Sequence, residues 1–382
     1  MQNTLTTRAW VEVDPEALRE NYRAVRDAVG TGAVVIPMVK ADGYGLGARR
    51  VVAALEPLQP WGFGVAAVEE GLALRAAGVA LPIVVFSPMA PQAVHTAVSA
   101  RLIPCISELT ALRVLAAEAA RAAAPVDFHV EIDTGMGRAG FDWRETPRWS
   151  AELVAACGSQ LRWAGVYTHF HGADGADAKP SQVQWERFRD ALAQLPVSRE
   201  DLMVHACNSA AALRFPAWAA DAVRPGIYLY GGRIGGAELD LVRPPRRVAS
   251  VRARLVLVRE VPPGSTVGYG ATHVAAGWER WGTLAIGYGD GLPRALGNRG
   301  HALIGGRRVP IVGRVSMDMT VVDLTSVPEA RVGDVATLIG GDGGAEITVD
   351  EVAALAGTIS YEILTGLTAR LPRVETGDAV GV

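Results

Sequence analysis

"AVVIPMVKADGYG", residues 33–45, runs from a β-branched apolar segment straight into a cluster of turn residues. Such a run reads as a buried strand of a parallel sheet, and the C-terminal end of such a strand is where α/β folds place their chemistry. At that end stands Lys40. The chain has 37 basic residues, and only Lys40 and Lys179 are lysines; the other 35 are arginines. Arginine stays protonated at any workable pH. A lysine whose pKa is lowered by burial or neighbouring charge becomes a neutral amine nucleophile. Lys179, in the polar stretch "GADGADAKPSQ", reads as an ordinary surface lysine; Lys40, between strand and turn, is the candidate functional amine.

Seven further runs follow with the same character: "GFGVAAV", "PIVVFSP", "IPCIS", "VDFHVEID", "LRWAGVYTHF", "DLMVHACN" and "AVRPGI". Helix-like stretches such as "GARRVVAALEP" and "SQVQWERFRDALAQL" separate most of them. Eight strands in alternation predict an α/β fold, a (β/α)8 TIM-type barrel. A doubly wound open sheet is the competing reading, but "KADGYGLG" is no dinucleotide fingerprint. Polar residues gather at the predicted strand ends: Lys40, Arg138, His169, Asn208, Ser209 and the "RPGI" that begins at Arg224. Beyond "RPPRRVAS" the period changes to alternation broken by Gly and Pro turns, which predicts a mainly antiparallel β domain. The expected division is 1–243 and 244–382, with the strand at 9–14 joining the C-terminal sheet.

The chain is 382 residues long, with a net charge of −3 and 49% hydrophobic content, enough for a large core and no polycationic surface. Nucleic-acid binding therefore has no support. No leader-like h-region and no membrane-length apolar run is visible. Cys105, Cys157 and Cys207 lie far apart, without metal-site spacing or a disulfide framework. A reduced cytoplasmic location is the expectation.

"VVIPMVKADGYGLGA", "EIDTGMGRAGF", "VYTHFHGAD", "CNSAAALRFP", "VRPGIYLYG", "VGYGATH", "AIGYGDG", "VGRVSMDM" and "TISYEILTGLTARLPR" occur in this order. Together they resemble the alanine racemases, pyridoxal-phosphate enzymes with a barrel and a C-terminal β domain. The resemblance implies that Lys40 holds the cofactor and acts as one catalytic base, and that Tyr269 acts as the second, supplied by the partner in a head-to-tail homodimer. It implies cofactor contacts from Tyr44, Arg138, His169, Asn208, Ser209, Arg224, Gly226, Ile227 and Tyr361. Arg224 would face the pyridine nitrogen, with His169 orienting it. Substrate contacts would come from Arg138, Met317, Asp318 and Tyr288. D-alanine for peptidoglycan, or alanine breakdown, would be the role. Where many family members carry a carbamylated lysine, this chain has Glu131, expected to face inward and pair with Arg138.

Other readings stay open on the residues alone. Tyr269 could be an amphipathic strand tyrosine, Arg224 a surface arginine, and Met317 and Asp318 a buried Met and a turn Asp. "HFH" places His169 and His171 on one face of a strand, with His205 on the next, as in a metal-dependent barrel hydrolase. A non-enzymatic cofactor carrier and a racemase of serine or a larger amino acid also share the fold.

Overall fold

The computed structural model describes residues 7–122, 124–235 and 243–376. The expected boundary near 243 falls at the edge of 236–242, outside the described residues. The chain opens with strand β1 (Ala9–Val13) and a helix, Pro15–Val29, whose first turn is capped by Asp14 accepting from the Glu16 and Ala17 amides. Eight short parallel strands then alternate with helices: β2 (Val34–Val35), β3 (Phe63–Val65), β4 (Ile83–Val85), β5 (Ile103–Ile106), β6 (Val126–Asp133), β7 (Leu161–Tyr167), β8 (Met203–Asn208) and β9 (Ala222–Arg224).

Each barrel strand hydrogen-bonds to the next in sequence from β3 to β9, and β9 returns to β2 through Ala222↔Val34. Closure between β2 and β3 is made by a bridge from Met38 to Gly64. A Cβ on Gly64 would sit 2.4 Å from Met38 Sδ, so glycine is what lets the first and second strands meet. The eight strands thus form the barrel that the alternation predicted.

The second sheet centres on β10 (Ala249–Val261), the longest strand in the chain at 13 residues among those described. It pairs antiparallel with β1 (Ala9↔Ala253), with Glu279–Leu284 and with Val335–Asp342. β1 also pairs in parallel with Arg373–Glu375, so the first strand of the chain lies inside the C-terminal sheet. One continuous apolar core runs from barrel residues such as Phe128 and Val204 to Val251, Leu255 and Leu338 of this sheet. A satellite core of Val261, Val267, Ala275, Trp281 and Val312 supports the turn that carries Tyr269. Among the described residues no helix is long and apolar enough to cross a membrane, and all three cysteines are free.

Candidate active site

Lys40 stands at the end of the β2 segment, and the chain after it coils the wrong way. Ala41, Asp42, Gly43 and Tyr44 have φ of 51, 52, 62 and 54°, a left-handed turn containing three residues with side chains. Left-handed backbone costs roughly 1–2 kcal/mol per non-glycine residue and persists only where the surroundings impose it. Glu70 imposes it from one side: Oε1 accepts from the Ala41 amide at 2.6 Å and Oε2 from the Ala66 and Ala67 amides. Asp42 Oδ1 accepts from the Ala48 amide at 2.8 Å. Tyr230 stacks on Tyr44 with centroids 4.4 Å apart and donates to Met38 O at 2.8 Å. Gly45, at φ 81°, presses so closely on the C-terminal domain that a Cβ would lie 2.2 Å from Leu364 O. The turn therefore presents Lys40 from a fixed frame. Burial, followed by the Arg138 charge, lowers the Lys40 pKa against the opposing pull of Glu70.

A cavity of about 300 Å³ opens beside this lysine. Its walls include Lys40, Tyr44, Glu131, Arg138, His169, Asn208, Ser209, Arg224, Gly226, Ile227 and Tyr361, so eleven of the predicted residues meet in one place. A wider hollow at the opposite end of the strands, lined by Tyr22, Arg26, Val34 and Trp61, gathers none of the predicted residues. One end of the Lys40 cavity is built from neutral donors. Ser209 Oγ accepts from the Gly226 amide at 2.8 Å and the Tyr228 amide at 3.5 Å, which leaves its own proton to donate. A Cβ on Gly226 would lie 2.1 Å from the Tyr44 hydroxyl, so only glycine lets that hydroxyl reach the same end. Burial drives the Tyr361 pKa up to about 12 and raises that of Tyr44, so both phenols stay protonated and can donate to an anion. Amides and hydroxyls around a lysine amine suit pyridoxal phosphate, with the phosphate in this cradle and the amine at the aldehyde carbon.

At the far wall Arg224 is buried, with no carboxylate paired to it among the described residues. Nη1 donates to His205 Nδ1 at 2.7 Å and His205 O at 2.9 Å; Nη2 donates to Thr168 O at 2.8 Å and Ala206 O at 3.2 Å. Its guanidinium also lies over Tyr167 and Phe86, 5.0 and 5.5 Å from the ring centres. Among the described residues, none of its hydrogen bonds uses Nε. Because arginine only donates, His205 Nδ1 must accept, so His205 carries its proton on Nε2. That proton goes to His129 Nδ1 at 2.9 Å, which fixes the second tautomer in turn. Burial, with Arg224 adding to it, pushes both imidazoles down, His129 to about 4, and both stay neutral.

Two expected roles change. His205, not His169, orients Arg224, because β8 and β9 are adjacent strands and His169 lies beyond the end of β7, one strand further away. His169 lines the cavity as a neutral ring, held down to about 3 by burial and the nearby Arg224, Arg138 and Lys40 charges. Glu131 faces inward as expected but does not pair with Arg138. Its Oε2 accepts from Tyr167 Oη at 3.0 Å and Ser107 Oγ at 3.3 Å, while Arg138 sits in the loop beyond the strand and acts on it only through space. With both nitrogens of His205 engaged, the His169–His171–His205 set of the hydrolase reading is not available to a metal.

The remaining predicted residues are elsewhere. Tyr269 sits in the turn between Thr266–Val267 and His273–Val274, flanked by Gly268 and Gly270 at φ 69 and 76°, and is 70% exposed. Tyr288 and Met317 are exposed too, and Gly289 N–H bonds Met317 O at 2.8 Å, so these two share one face of the C-terminal domain. The Tyr269 turn joins them through Gly313, whose Cβ would lie 3.0 Å from Val267 O. The sequence reading missed Phe86, Tyr167 and Glu70. A signal existed for Tyr167: Glu131, Tyr167 and His205 are register partners on three neighbouring strands, one polar layer at a single height.

The family model described as alanine racemase, N-terminal domain, matches residues 13–234, and the one for the C-terminal domain matches 248–375. The chain is 37% identical to the alanine racemase of Halothermothrix orenii over 377 residues, 98% of each chain. It superposes on the alanine racemase from E. faecalis with a TM-score of 0.90 at 32% identity, over 97% of this chain and 98% of that one. The alanine racemase from Bartonella henselae with covalently bound pyridoxal phosphate gives a TM-score of 0.87 at 28% identity, over 97% and 99%.

Proposed function

The chain belongs to the alanine racemase family, a pyridoxal-phosphate enzyme that interconverts L- and D-alanine, and from that premise we propose how its own residues divide the work. The observation that carries the proposal is the shared cavity, with a lysine amine of lowered pKa between a neutral donor cradle and a buried arginine. Ser209, Tyr44, Tyr361 and the Gly226 and Ile227 amides hold the phosphate. Lys40 would hold the cofactor covalently, and its amine, when free, would move the proton on one face of Cα. Pyridoxal phosphate, when bound, delocalises the electron pair that the departing proton leaves behind.

Arg224 would offer Nε to the pyridine nitrogen. As a permanent donor it would keep that nitrogen unprotonated, which would weaken the electron sink and disfavour side reactions such as transamination. Asn208 and His169 line the ring, and Arg138 meets the substrate side. Glu131 steadies Arg138 by charge across a gap, with Tyr167 and Ser107 fixing the carboxylate. Tyr269 supplies the second proton-transfer group from a partner chain, with Met317 and Asp318 receiving the substrate carboxylate. Exposed Tyr269, Tyr288, Met317 and Met319 support a head-to-tail homodimer, because apolar surface of this kind is seldom left in water. In this reading the division falls near 243, and residues 244–382 carry the groups offered to the partner. Tyr288 and Tyr361 narrow the pocket to a methyl side chain. Free Cys105, Cys157 and Cys207 fit a reducing cytoplasm, and D-alanine for peptidoglycan is the role proposed.

The test is exchange in heavy water with L-alanine and, separately, L-serine. Deuterium at Cα together with D-alanine, formed well ahead of D-serine, is the expected result. Exchange into L-alanine without D-product would remove Tyr269 from its role.

A further inference from the structure

"GYGDG", residues 287–291, holds a carboxylate that the proton-transfer reading does not use. Asp290 is completely buried, at 0% exposure. Its two oxygens take a fork from Arg8, with Nη2 to Oδ1 at 2.5 Å and Nη1 to Oδ2 at 3.0 Å. Arg370 Nε lies 3.3 Å from Oδ1, and Arg370 Nη2 continues to Asp318 Oδ1 at 2.6 Å. Four charges therefore alternate in a row, Arg8, Asp290, Arg370 and Asp318, with the buried Asp290 between two partly exposed arginines and Asp318 on the exposed face. A buried carboxylate is tolerable only when fully paired, and here two guanidiniums and the Gly287 amide, at 3.0 Å, pair it.

The backbone repeats the same connection. The Tyr288 amide donates to Ser316 O at 3.0 Å, the Gly289 amide to Met317 O at 2.8 Å, and the Thr368 amide to Asp290 O at 3.1 Å. A Cβ on Gly287 would lie 2.1 Å from Ser316 O, and one on Gly289 would lie 2.3 Å from Arg370 Nη1. Glycine at 287 lets this turn lie against the 316–318 loop, and Gly289 lies close beneath Arg370.

We propose that Asp290 is a positioning residue which, through Arg370, sets the 316–318 loop so that Met317 and Asp318 receive the substrate carboxylate. This rests on the reading of Met317 and Asp318 given above. Asp290→Asn keeps the shape and removes the charge that holds Arg370; Arg370→Gln breaks the same link from the exposed side. Both should raise KM for alanine about tenfold while kcat stays within about twofold, with the spectrum of bound cofactor unchanged. Arg370→Lys should restore part of the loss. In an Asp318→Asn background, Arg370→Gln should add little, because the two act on one loop.

If Asp290→Asn fails to fold, the Arg370 and Asp318 variants decide alone. An Asp318→Asn enzyme with unchanged KM would overturn the substrate reading of the loop. Raised KM for Asp318→Asn, with unchanged KM for Arg370→Gln, would overturn the positioning proposal and leave that reading intact. A fall in kcat and cofactor loading without a change in KM would show a merely structural role and also overturn it.

Discussion

The Lys40 cavity and the Tyr269 face are built in opposite ways. The cavity is finished within one chain. Its lysine sits on a left-handed turn held by Glu70, Asp42 and the stacked Tyr230, and its arginine is tied by four hydrogen bonds. The Tyr269 face is rigid underneath, through the satellite core and the paired Asp290, yet its aromatic and methionine tips stand in water. A finished cavity lacking one group, and an exposed group with a firm support, are what a site shared between two chains requires. The difference teaches where substitutions should act: at the cavity on cofactor capture, at the face on turnover or substrate affinity with cofactor capture unchanged.

The largest effect belongs to Lys40. Lys40→Arg keeps charge and bulk but has no neutral amine, so turnover should fall at least ~10⁴-fold with no covalent cofactor detectable by mass. Lys179→Arg should change nothing measurable. Tyr269→Phe comes next. It should lose about 10²–10⁴-fold in kcat while cofactor loading, followed by absorbance, stays normal. If loading fell as well, the separation between cavity and face would be wrong.

The buried histidines give a smaller effect that a pH titration reads. Burial holds His129 down to about 4 and His169 down to about 3 in the folded chain, below the ordinary imidazole value near 6.5. The unfolded chain therefore binds more protons between those values, and folding stability falls as pH drops through that window. The slope should be about 1.4 kcal/mol per pH unit for each histidine. Urea unfolding of the cofactor-free chain at pH 8, 6 and 5 checks it, and His129→Gln should flatten the curve. Glu131→Gln is the mildest change. Gln can still accept from Tyr167 and Ser107, so only the through-space pull on Arg224 and Arg138 is lost, and KM should rise by about threefold or less. Added bicarbonate should not alter wild-type activity. Bicarbonate dependence would contradict the role given to Glu131.

Much of this was legible in the sequence for particular physical reasons. Eight β-branched runs between helix-like stretches fixed the barrel, because a strand buried on both faces has to be apolar throughout. Lys40 stood out because arginine had replaced lysine almost everywhere else. The cradle of Tyr44, Ser209, Gly226 and Ile227 could be assigned through motif resemblance. What stayed hidden depends on contacts across strands and between domains. His205 looked like a possible metal ligand until its neighbour in β9 proved to be Arg224. Tyr167 and Phe86 were passed over, and their faces turned out to hold a buried guanidinium. Glu131 and Arg138 were seven residues apart and plausibly paired, but a strand end and a loop separate them. Asp290 was not singled out, since nothing local shows that Arg8 and Arg370 converge on it.

The central claim is that each active site joins the cavity of one chain to the face of another, and mixing two dead chains tests it directly. Lys40→Ala and Tyr269→Phe chains, co-expressed in equal amounts, would form hybrid dimers in which one site carries both intact residues. The account predicts recovery to about a quarter of wild-type activity for random pairing of a two-fold dimer. If both residues served the same chain's site, every hybrid site would lack one of them, and activity would stay at the level of the separate variants.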